Sequence, residues 1–246
     1  MGVGYSPKIV TNGLVFYVNP SDPKCYSGGS TCKDLTRING DGILSNVSFS
    51  ADKAFIMNST TSRVYFTRSF ANVTNSTTYI VTAEIPSNNN YPTLFSSMNG
   101  NFGGVFIFAQ ASSARLVSAY ISDDSGNNFD QLDYDITANY PQKRVIACTI
   151  NGTVFKLYVD GILRSTSSPH VGGNVNSQSL IELGYASIAT STTAINVKIY
   201  NSLIYNRALN DNEILQNHNA LKGRLKLWAF IILLKLLLMD WFFMLI

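Results

Sequence analysis

The stretch TINGTVFKLYVDG, residues 149–161, decides the fold class of this 246-residue chain. Between Val154 and Val159 the side chains alternate, so that Val, Lys and Tyr lie on one face and Phe, Leu and Val on the other. A period of two is typical of a β-strand with one buried face, and we expect the second set to pack inward. Asn151-Gly152 precedes this run and readily adopts the positive φ angles of a two-residue hairpin turn. The stretch therefore predicts a hairpin of two antiparallel strands.

Similar short runs of β-branched and aromatic residues recur along the chain, separated by clusters of Asn, Gly, Ser and Pro. This pattern is typical of a many-stranded antiparallel fold. The predicted strands are Leu14–Val18, Val64–Thr67, Thr78–Ile85, Thr93–Met98, Gly104–Ala109, Leu116–Ser122, Lys143–Asn151, Val154–Val159, Leu180–Gly184 and Ile195–Tyr205.

One short helix is predicted at Asp211–Asn219. Asn210 can cap its first turn, and Glu213, three residues later, can reach back to complete a capping box. We expect Ile214 and Leu215 to be buried against a sheet.

The composition limits the classes of function that the chain could have. The chain has 46% hydrophobic and 13% charged residues and a formal net charge of +3. A chain of this length can bury a core for a single domain. Binding to nucleic acid is disfavoured, because it requires clustered Lys and Arg.

The three cysteines leave two alternatives open. Cys25 and Cys32 flank a Gly-Gly-Ser turn and could form a disulfide, with Cys148 unpaired in an apolar run. All three could equally be free buried thiols. No charged and then apolar leader precedes the first strand, so a signal peptide is not expected.

Four stretches, taken in order, resemble the concanavalin A-like, laminin G-like jelly-roll superfamily. GLVFYVN at residues 13–19 is similar to the opening strand of these domains. KDLT at 33–36, followed by Asn39-Gly40, resembles their W-x-D-L-S-G-N-G segment, with Cys32 near the usual Trp. LYVDG at 157–161 and IYNRAL at 204–209 resemble a hairpin and the closing strand. The resemblance covers roughly Lys8 to Arg224, and its closing run resembles proteins of phages and other large DNA viruses.

This resemblance implies an all-β, two-sheet antiparallel jelly-roll sandwich with one short C-terminal helix. The superfamily includes both lectins and glycan hydrolases, so the site must distinguish them. Hydrolases of this kind carry acidic residues at alternate strand positions. None of the three glutamates lies in a Glu-x-Asp-x-x-Glu pattern, and Asp133-Tyr134-Asp135 is expected on a loop edge. A serine or cysteine hydrolase needs a histidine as its base, and His170 and His218 are both interpreted as surface residues. No enzyme is therefore predicted.

Binding is the remaining class, and it calls for aromatic and amide side chains on loops. The predicted ligand-binding residues are Asn89, Asn90, Tyr91, Asn127, Asn128 and Phe129. Carboxylates in the loop at residues 123–130 could chelate Ca²⁺, an ion that some members of the superfamily hold. The predicted metal ligands are Asp123, Asp124 and Asp130. The same loop also has ordinary hairpin-turn chemistry, which needs no metal.

The sequence thus predicts a non-catalytic carbohydrate-binding or adhesion module of a virion or phage structural protein. Its expected partner is a cell-surface glycan or glycoprotein. Its expected location is the virion or extracellular surface. Further copies of the chain or neighbouring virion proteins are candidate contacts. A structural capsid or tail decoration protein is the alternative, and a glycan hydrolase a remote one.

Residues 225–246 form an apolar tail long enough to cross a bilayer, which would require a membrane partner. A different origin is favoured by the genetic code. Consider the shifted reading frame whose codons begin at the third base of each tail codon. At four positions, the amino acid that this frame encodes is the same whichever synonymous codons the tail uses. These match Gly2, Gly13, Leu14 and Val15 in register. We therefore expect a domain at 1–224 followed by an out-of-frame extension, which the nucleotide sequence would test.

Overall fold

A computed structural model of the chain describes residues 7–67, 76–85, 92–98, 103–110, 116–122, 129–136, 142–168, 180–186 and 197–222. In these ranges the chain forms two antiparallel sheets and one helix near its C-terminal end. The all-β sandwich architecture expected from the sequence is confirmed. Within the described ranges no helix has the length and apolar character needed to cross a membrane.

The strands have between two and ten residues. Their bounds are β1 Leu14–Val18, β2 Thr31–Cys32, β3 Gly42–Ser45, β4 Val47–Phe49, β5 Phe55–Met57, β6 Arg63–Thr67, β7 Ser76–Ile85, β8 Thr93–Ser96, β9 Gly104–Gln110, β10 Leu116–Ser122, β11 Phe129–Asp135, β12 Gln142–Asn151, β13 Val154–Val159, β14 Ile162–Ser167, β15 Leu180–Leu183 and β16 Val197–Tyr205. The helix α1 spans Asp211–Lys222.

The two sheets have eight strands each. The back sheet has the order β14-β13-β12-β7-β16-β5-β4, with β1 pairing with β16. The front sheet has the order β11-β10-β9-β8-β15-β6-β3-β2. Strands β11 and β2 are therefore the two edges of the front sheet.

The main core lies between the sheets. In β13, Phe155, Leu157 and Val159 are all buried there, so the inward set predicted from the alternation is confirmed. In β10, Val117, Ala119 and Ile121 enter the same core from the front sheet. The intervening residues of β10 must consequently point away from the core.

Helix α1 covers the outer face of the back sheet. The predicted capping box is present, because the Glu213 backbone amide donates to Asn210 Oδ1 at 3.0 Å and the Asn210 amide donates to Glu213 Oε2 at 3.0 Å. Ile214 is buried against the sheet as expected. Leu215 is 43% exposed, so its predicted burial is wrong. Successive helical residues point about 100° apart, and Leu215 falls on the solvent side.

The hairpins at both ends of β13 have two-residue turns. Asn151 pairs with Val154, so the first turn consists of Gly152 and Thr153 rather than Asn151 and Gly152 as predicted. Of these turn residues Gly152 has positive φ, which is the pattern of a type II′ turn. In the second turn both Asp160 and Gly161 have positive φ, as in type I′.

The motif at residues 33–40 is organised by one buried carboxylate. Asp34 Oδ1 accepts hydrogen bonds from the backbone amides of Tyr17 and Thr36. Asp34 Oδ2 accepts from the Thr36 hydroxyl and from the backbone and side-chain amides of Asn39. The Asn39 side chain also donates to the Val15 carbonyl. The segment after β2 is thereby fastened to β1.

Candidate functional site

The outer face of the front sheet carries the clearest candidate site, at its β11 edge. Phe129, Gln131, Asp133 and Asp135 are exposed at every second position of β11, whereas Leu132 between them is buried in the core. Asp133 was expected on a loop edge and Phe129 on a loop, and both expectations are wrong. Strand β11 was not predicted, because residue types typical of turns precede position 129 and most of the outward-facing residues of the strand are polar.

Aromatic rings continue from this edge across the neighbouring strands. The Phe129 ring stacks on the Tyr120 ring of β10, with centroids 5.4 Å apart and planes 21° from parallel. Tyr120 packs against Phe106 and Phe108 of β9, whose own rings are stacked at 4.5 Å. We call these four residues the aromatic stripe. Its β9 end is buried, and Phe129 at the other end is 57% exposed.

Polar groups border the exposed end of the stripe. Ser118 and Asp133 are direct partners across β10 and β11, and the Ser118 hydroxyl donates to Asp133 Oδ1 at 2.6 Å. The Gln131 side-chain amide donates to the same oxygen at 2.9 Å. A hexose presents an apolar ring face beside a rim of hydroxyls, so an exposed ring beside a carboxylate and an amide matches its chemistry.

Asp130, predicted as a metal ligand, is the second residue of β11 and pairs with Ile121. It faces the opposite side of the strand from Phe129. The other predicted site residues lie outside the described residues; they are Asn89, Asn90, Tyr91, Asp123, Asp124, Asn127 and Asn128. In the part of the chain that the structure describes, no group of three or more His, Cys, Asp and Glu residues could hold a metal ion. The calcium site stays a prediction.

A second polar cluster lies in the middle of the front sheet. Glu182 of β15 is 1% exposed and forms an ion pair with Arg63 of β6 at 3.4 Å. The Arg63 guanidinium lies over the rings of Tyr65 and Tyr185, at 4.7 and 5.4 Å from their centroids. Four strand spacings separate β15 from β11, which places Glu182 roughly 19 Å from Asp133. The two carboxylates are too far apart to flank one glycosidic bond.

A third cluster, on the outer face of the back sheet, is balanced in charge. Asp52 and Glu84 each lie within 4.0 Å of both Lys143 and Lys198. The Tyr200 hydroxyl donates to both carboxylates. Burial opposes ionisation of Asp52, but hydrogen bonds from its neighbours and the lysine charges outweigh it and hold its pKa well below the usual range. The cluster fastens the turn between β4 and β5 to the sheet.

Of the two histidines, His218 lies in the part of the chain that the structure describes. His170 lies outside the described residues. His218, expected on the surface, is half-buried on α1 with its Nδ1 atom inaccessible, and burial lowers its pKa. Its side chain packs close to Gly161 in the turn after β13.

Sequence reasoning missed Tyr120, Ser118 and Gln131. The signal for the first two was present, because alternation in the correctly predicted strand Leu116–Ser122 assigns Val117, Ala119 and Ile121 to the core. Tyr120 and Ser118 then face outward. The pairing of β10 with β11, which brings Gln131 and Phe129 to them, had no such signal.

Residues 57–215, more than half of the chain, match a family model described as the concanavalin A-like lectin/glucanases superfamily, of the laminin G type. No curated protein sequence matches the chain.

Solved structures with a similar fold include receptor-binding domains of botulinum neurotoxins. The domain of the C/D mosaic serotype matches with a TM-score of 0.68 at 13% sequence identity, covering 85% of this chain and 51% of that chain. The serotype D ligand-binding domain in complex with N-acetylneuraminic acid matches with a TM-score of 0.66 at 12% identity, covering 85% and 51%. The chain thus spans about half the length of these domains, and the likeness concerns the fold.

Proposed function

The chain belongs to the concanavalin A-like lectin/glucanases superfamily, and from that premise we propose that it is a non-catalytic carbohydrate-binding module whose ligand lies on the front face around Phe129. The observation that carries this proposal is the exposed Phe129 ring, held in place by stacking on Tyr120, with Gln131 two residues further along the same face of β11 and hydrogen-bonded to Asp133. A ring that is already ordered loses little conformational freedom on binding, which favours its use as a stacking platform.

The carboxylates support a binding role over catalysis. Each of the three glutamates is held in an ion pair; the pairs are Glu84 with Lys143 and Lys198, Glu182 with Arg63, and Glu213 with Arg207. Asp133 and Asp135 share one face of β11, but both are exposed on an edge strand. A glycosidase needs one carboxyl in a partly dehydrated setting to act as the acid.

The botulinum domains support the proposal at the level of the fold. One of them is named as a complex with N-acetylneuraminic acid. Since this chain spans about half of that domain, the sugar bound there is not assigned to this protein. Our proposal names cell-surface glycans or glycoproteins as the partner class.

The setting we propose is a virion or phage surface, where such a module would serve adhesion. The support is the resemblance of the closing run at residues 204–209, with Glu213 and Ile214, to structural and adhesive proteins of phages and large DNA viruses. Contacts with further copies of the chain or with virion neighbours belong to the same proposal, as does an extracellular or virion location.

A glycan array probed with the full chain tests the binding function. We expect a signal for a restricted set of sugars, and we expect Phe129→Ala to weaken it about tenfold or more. Phe49→Ala is the matched control, because Phe49 is also an exposed aromatic residue but lies on β4 of the back sheet. Tyr91→Ala tests the predicted loop residue, and a repeat with a chelator tests the need for Ca²⁺.

Two outcomes would contradict the proposal. A well-folded chain without any sugar-dependent signal would favour a structural decoration protein. Turnover of a glycan that disappears in Asp133→Asn would establish a hydrolase.

A further inference from the structure

A cavity of about 930 Å³ lies at the opposite edge of the front sheet from Phe129. Its walls are the loop between β1 and β2, strand β2 itself and the segment at residues 33–41. We call this cavity the loop pocket. Its volume is typical of sites that bind small ligands. Seven strand spacings separate β2 from β11, so the loop pocket lies roughly 34 Å across the sheet from Phe129.

Three cationic side chains line the loop pocket from three different parts of its wall. Lys24 belongs to the loop before β2, Lys33 follows β2 directly, and Arg37 lies in the turn that comes next. Among the residues that the structure describes, none of the three has an ion-pair partner within 4.0 Å. Their charges are therefore available to a ligand.

The wall keeps a net positive charge, because three cationic side chains face two carboxylates, those of Asp34 and Asp41. Asp34 is buried, and its carboxylate already accepts five hydrogen bonds from Tyr17, Thr36 and Asn39. Five donors fill the acceptor capacity of a carboxylate. Asp41 is exposed and can accept hydrogen bonds from a ligand. The charged groups that remain for a ligand are the three cations and the Asp41 carboxylate.

The backbone holds Arg37 in place at a conformational cost. Its φ angle is 62°, in the left-handed region that glycine adopts most readily, and its amide donates to the Asp34 carbonyl at 3.0 Å. Strained non-glycine residues concentrate where a side chain has to be presented to a ligand. Across the cavity, the Lys33 amide donates to the Cys25 carbonyl at 2.8 Å and so fixes the other wall.

We propose that the loop pocket binds the acidic group of a saccharide, with Arg37, Lys24 and Lys33 around the anion and Asp41 facing its hydroxyls. The planar fork of a guanidinium matches the two oxygens of a carboxylate or sulfate group, and lysines add charge without fixed geometry. This inference rests on the proposed carbohydrate-binding function and names a ligand class for it, namely glycans that carry an acid group.

Titration of the isotope-labelled full chain with two matched sugars, monitored by NMR, tests the inference. D-glucuronic acid and D-glucose differ at one carbon, which is a carboxylate in the first and a hydroxymethyl group in the second. We expect glucuronate to shift the amide signals of the loop pocket and glucose to leave them unchanged. Arg37→Gly should weaken glucuronate binding about tenfold.

The Arg37→Gly variant should remain folded, so that weaker binding cannot be attributed to unfolding. Glycine relieves the strain at a positive φ angle, so the variant should keep or raise the Tm of the wild type. Lys24→Gln combined with Lys33→Gln should weaken binding further, whereas Lys8→Gln, an exposed lysine outside the pocket, should have no effect.

Three results would overturn the inference. The first is unchanged glucuronate affinity in Arg37→Gly and in the double lysine variant. The second is sulfate ion competing as well as or better than glucuronate, which would leave a simple anion site. The third is loss of glucuronate binding in Phe129→Ala, which would assign the acid group to the front face. If glucuronate binds in the loop pocket but no glycan gives an array signal, the proposed front-face function alone fails.

Discussion

Asp34 shows how one residue of the sequence motif maintains the local structure. A buried carboxylate costs free energy unless its oxygens are satisfied, and here five donors from three residues satisfy them. Removing the charge leaves these donors facing a weaker or repulsive partner. Asp34 consequently acts as the centre of a network rather than as a ligand-binding group.

We expect Asp34→Asn to lower the free energy of unfolding by about 2–3 kcal/mol, because an amide nitrogen would face donors in place of an acceptor oxygen. Asp22→Asn is the control, since the Asp22 carboxylate accepts a single, exposed hydrogen bond in the structure, from the Lys24 backbone amide. Its cost should stay near 1 kcal/mol or below. Urea unfolding of both variants measures the difference, and equal costs would refute the network role.

Asp52 makes a second prediction, on pH. Its pKa in the folded chain lies below the value of 3.8 that an unperturbed aspartate has. The unfolded state therefore binds a proton more readily, so the stabilisation is present above about pH 4 and is lost as the pH falls through the folded pKa. Urea unfolding between pH 6 and pH 2.5 should show that Asp52→Asn weakens this acid dependence. Asp41→Asn, outside the cluster, should leave the dependence as it is.

Between elements, Gly42 allows β3 and the Phe66 ring of β6 to approach closely. A Cβ atom at this position would lie 2.2 Å from the ring, which is itself packed edge-on against Phe16. We expect Gly42→Ala to cost about 1–3 kcal/mol through overpacking. Gly40→Ala is a matched control, because its Cβ would meet nothing within 4 Å. Equal chemical denaturation midpoints for the two variants would show that the ring can move aside.

The loop that joins β1 to β2 carries a further prediction. The Cys25 and Cys32 thiols are buried and hydrogen-bonded to each other, which lowers the pKa of Cys25 and, with burial, raises that of Cys32. Cys25 lines the loop pocket, through which a reagent can reach it. Glutathione disulfide should convert the two thiols to a disulfide, as they lose two hydrogens and the oxidant is reduced to two glutathione molecules. Closing a loop of about eight residues should add about 2.5 kcal/mol to stability.

Mass spectrometry of the oxidised and digested chain would identify the linked peptides. Cys148 is fully buried in the core, and burial raises its pKa, so it should stay unmodified. A mixed disulfide at Cys148, or no linked peptide after oxidation, would contradict this arrangement.

At the scale of the whole molecule, runs of apolar residues and the alternation of apolar and polar residues were the main signals for predicting strands from the sequence. Strands β10 and β13 were placed at their observed bounds, because one set of their alternate residues is apolar and buried. Strand β1 was placed correctly because all five of its residues are apolar or aromatic. Strands β2 to β5 have two to four residues and were missed. Strands β8 and β15 also have four residues, but they were predicted within slightly longer runs, Thr93–Met98 and Leu180–Gly184. Strand β14 lacks a buried face, since its residues are exposed or half-buried, and it too was missed.

The candidate site was predictable only in part, for a related reason. Phe129 could be named from its type, but its neighbours Tyr120 and Ser118 reach it through the pairing of β10 with β11. The loop pocket depends on contacts between β1, the loop at residues 19–30 and the segment after β2. Those contacts are made by backbone groups and by Asp34, and composition does not encode them.

The attachment of the first described segment to α1 affects how this molecule can be displayed. The Gln216 side chain donates to the Lys8 carbonyl, and Asn217 accepts from the Val10 amide, so the described chain begins and ends behind the back sheet. Phe129 points in the opposite direction. A tether joined at either side would therefore hold the module by its rear and present the aromatic stripe outward, toward whatever surface the carrier approaches.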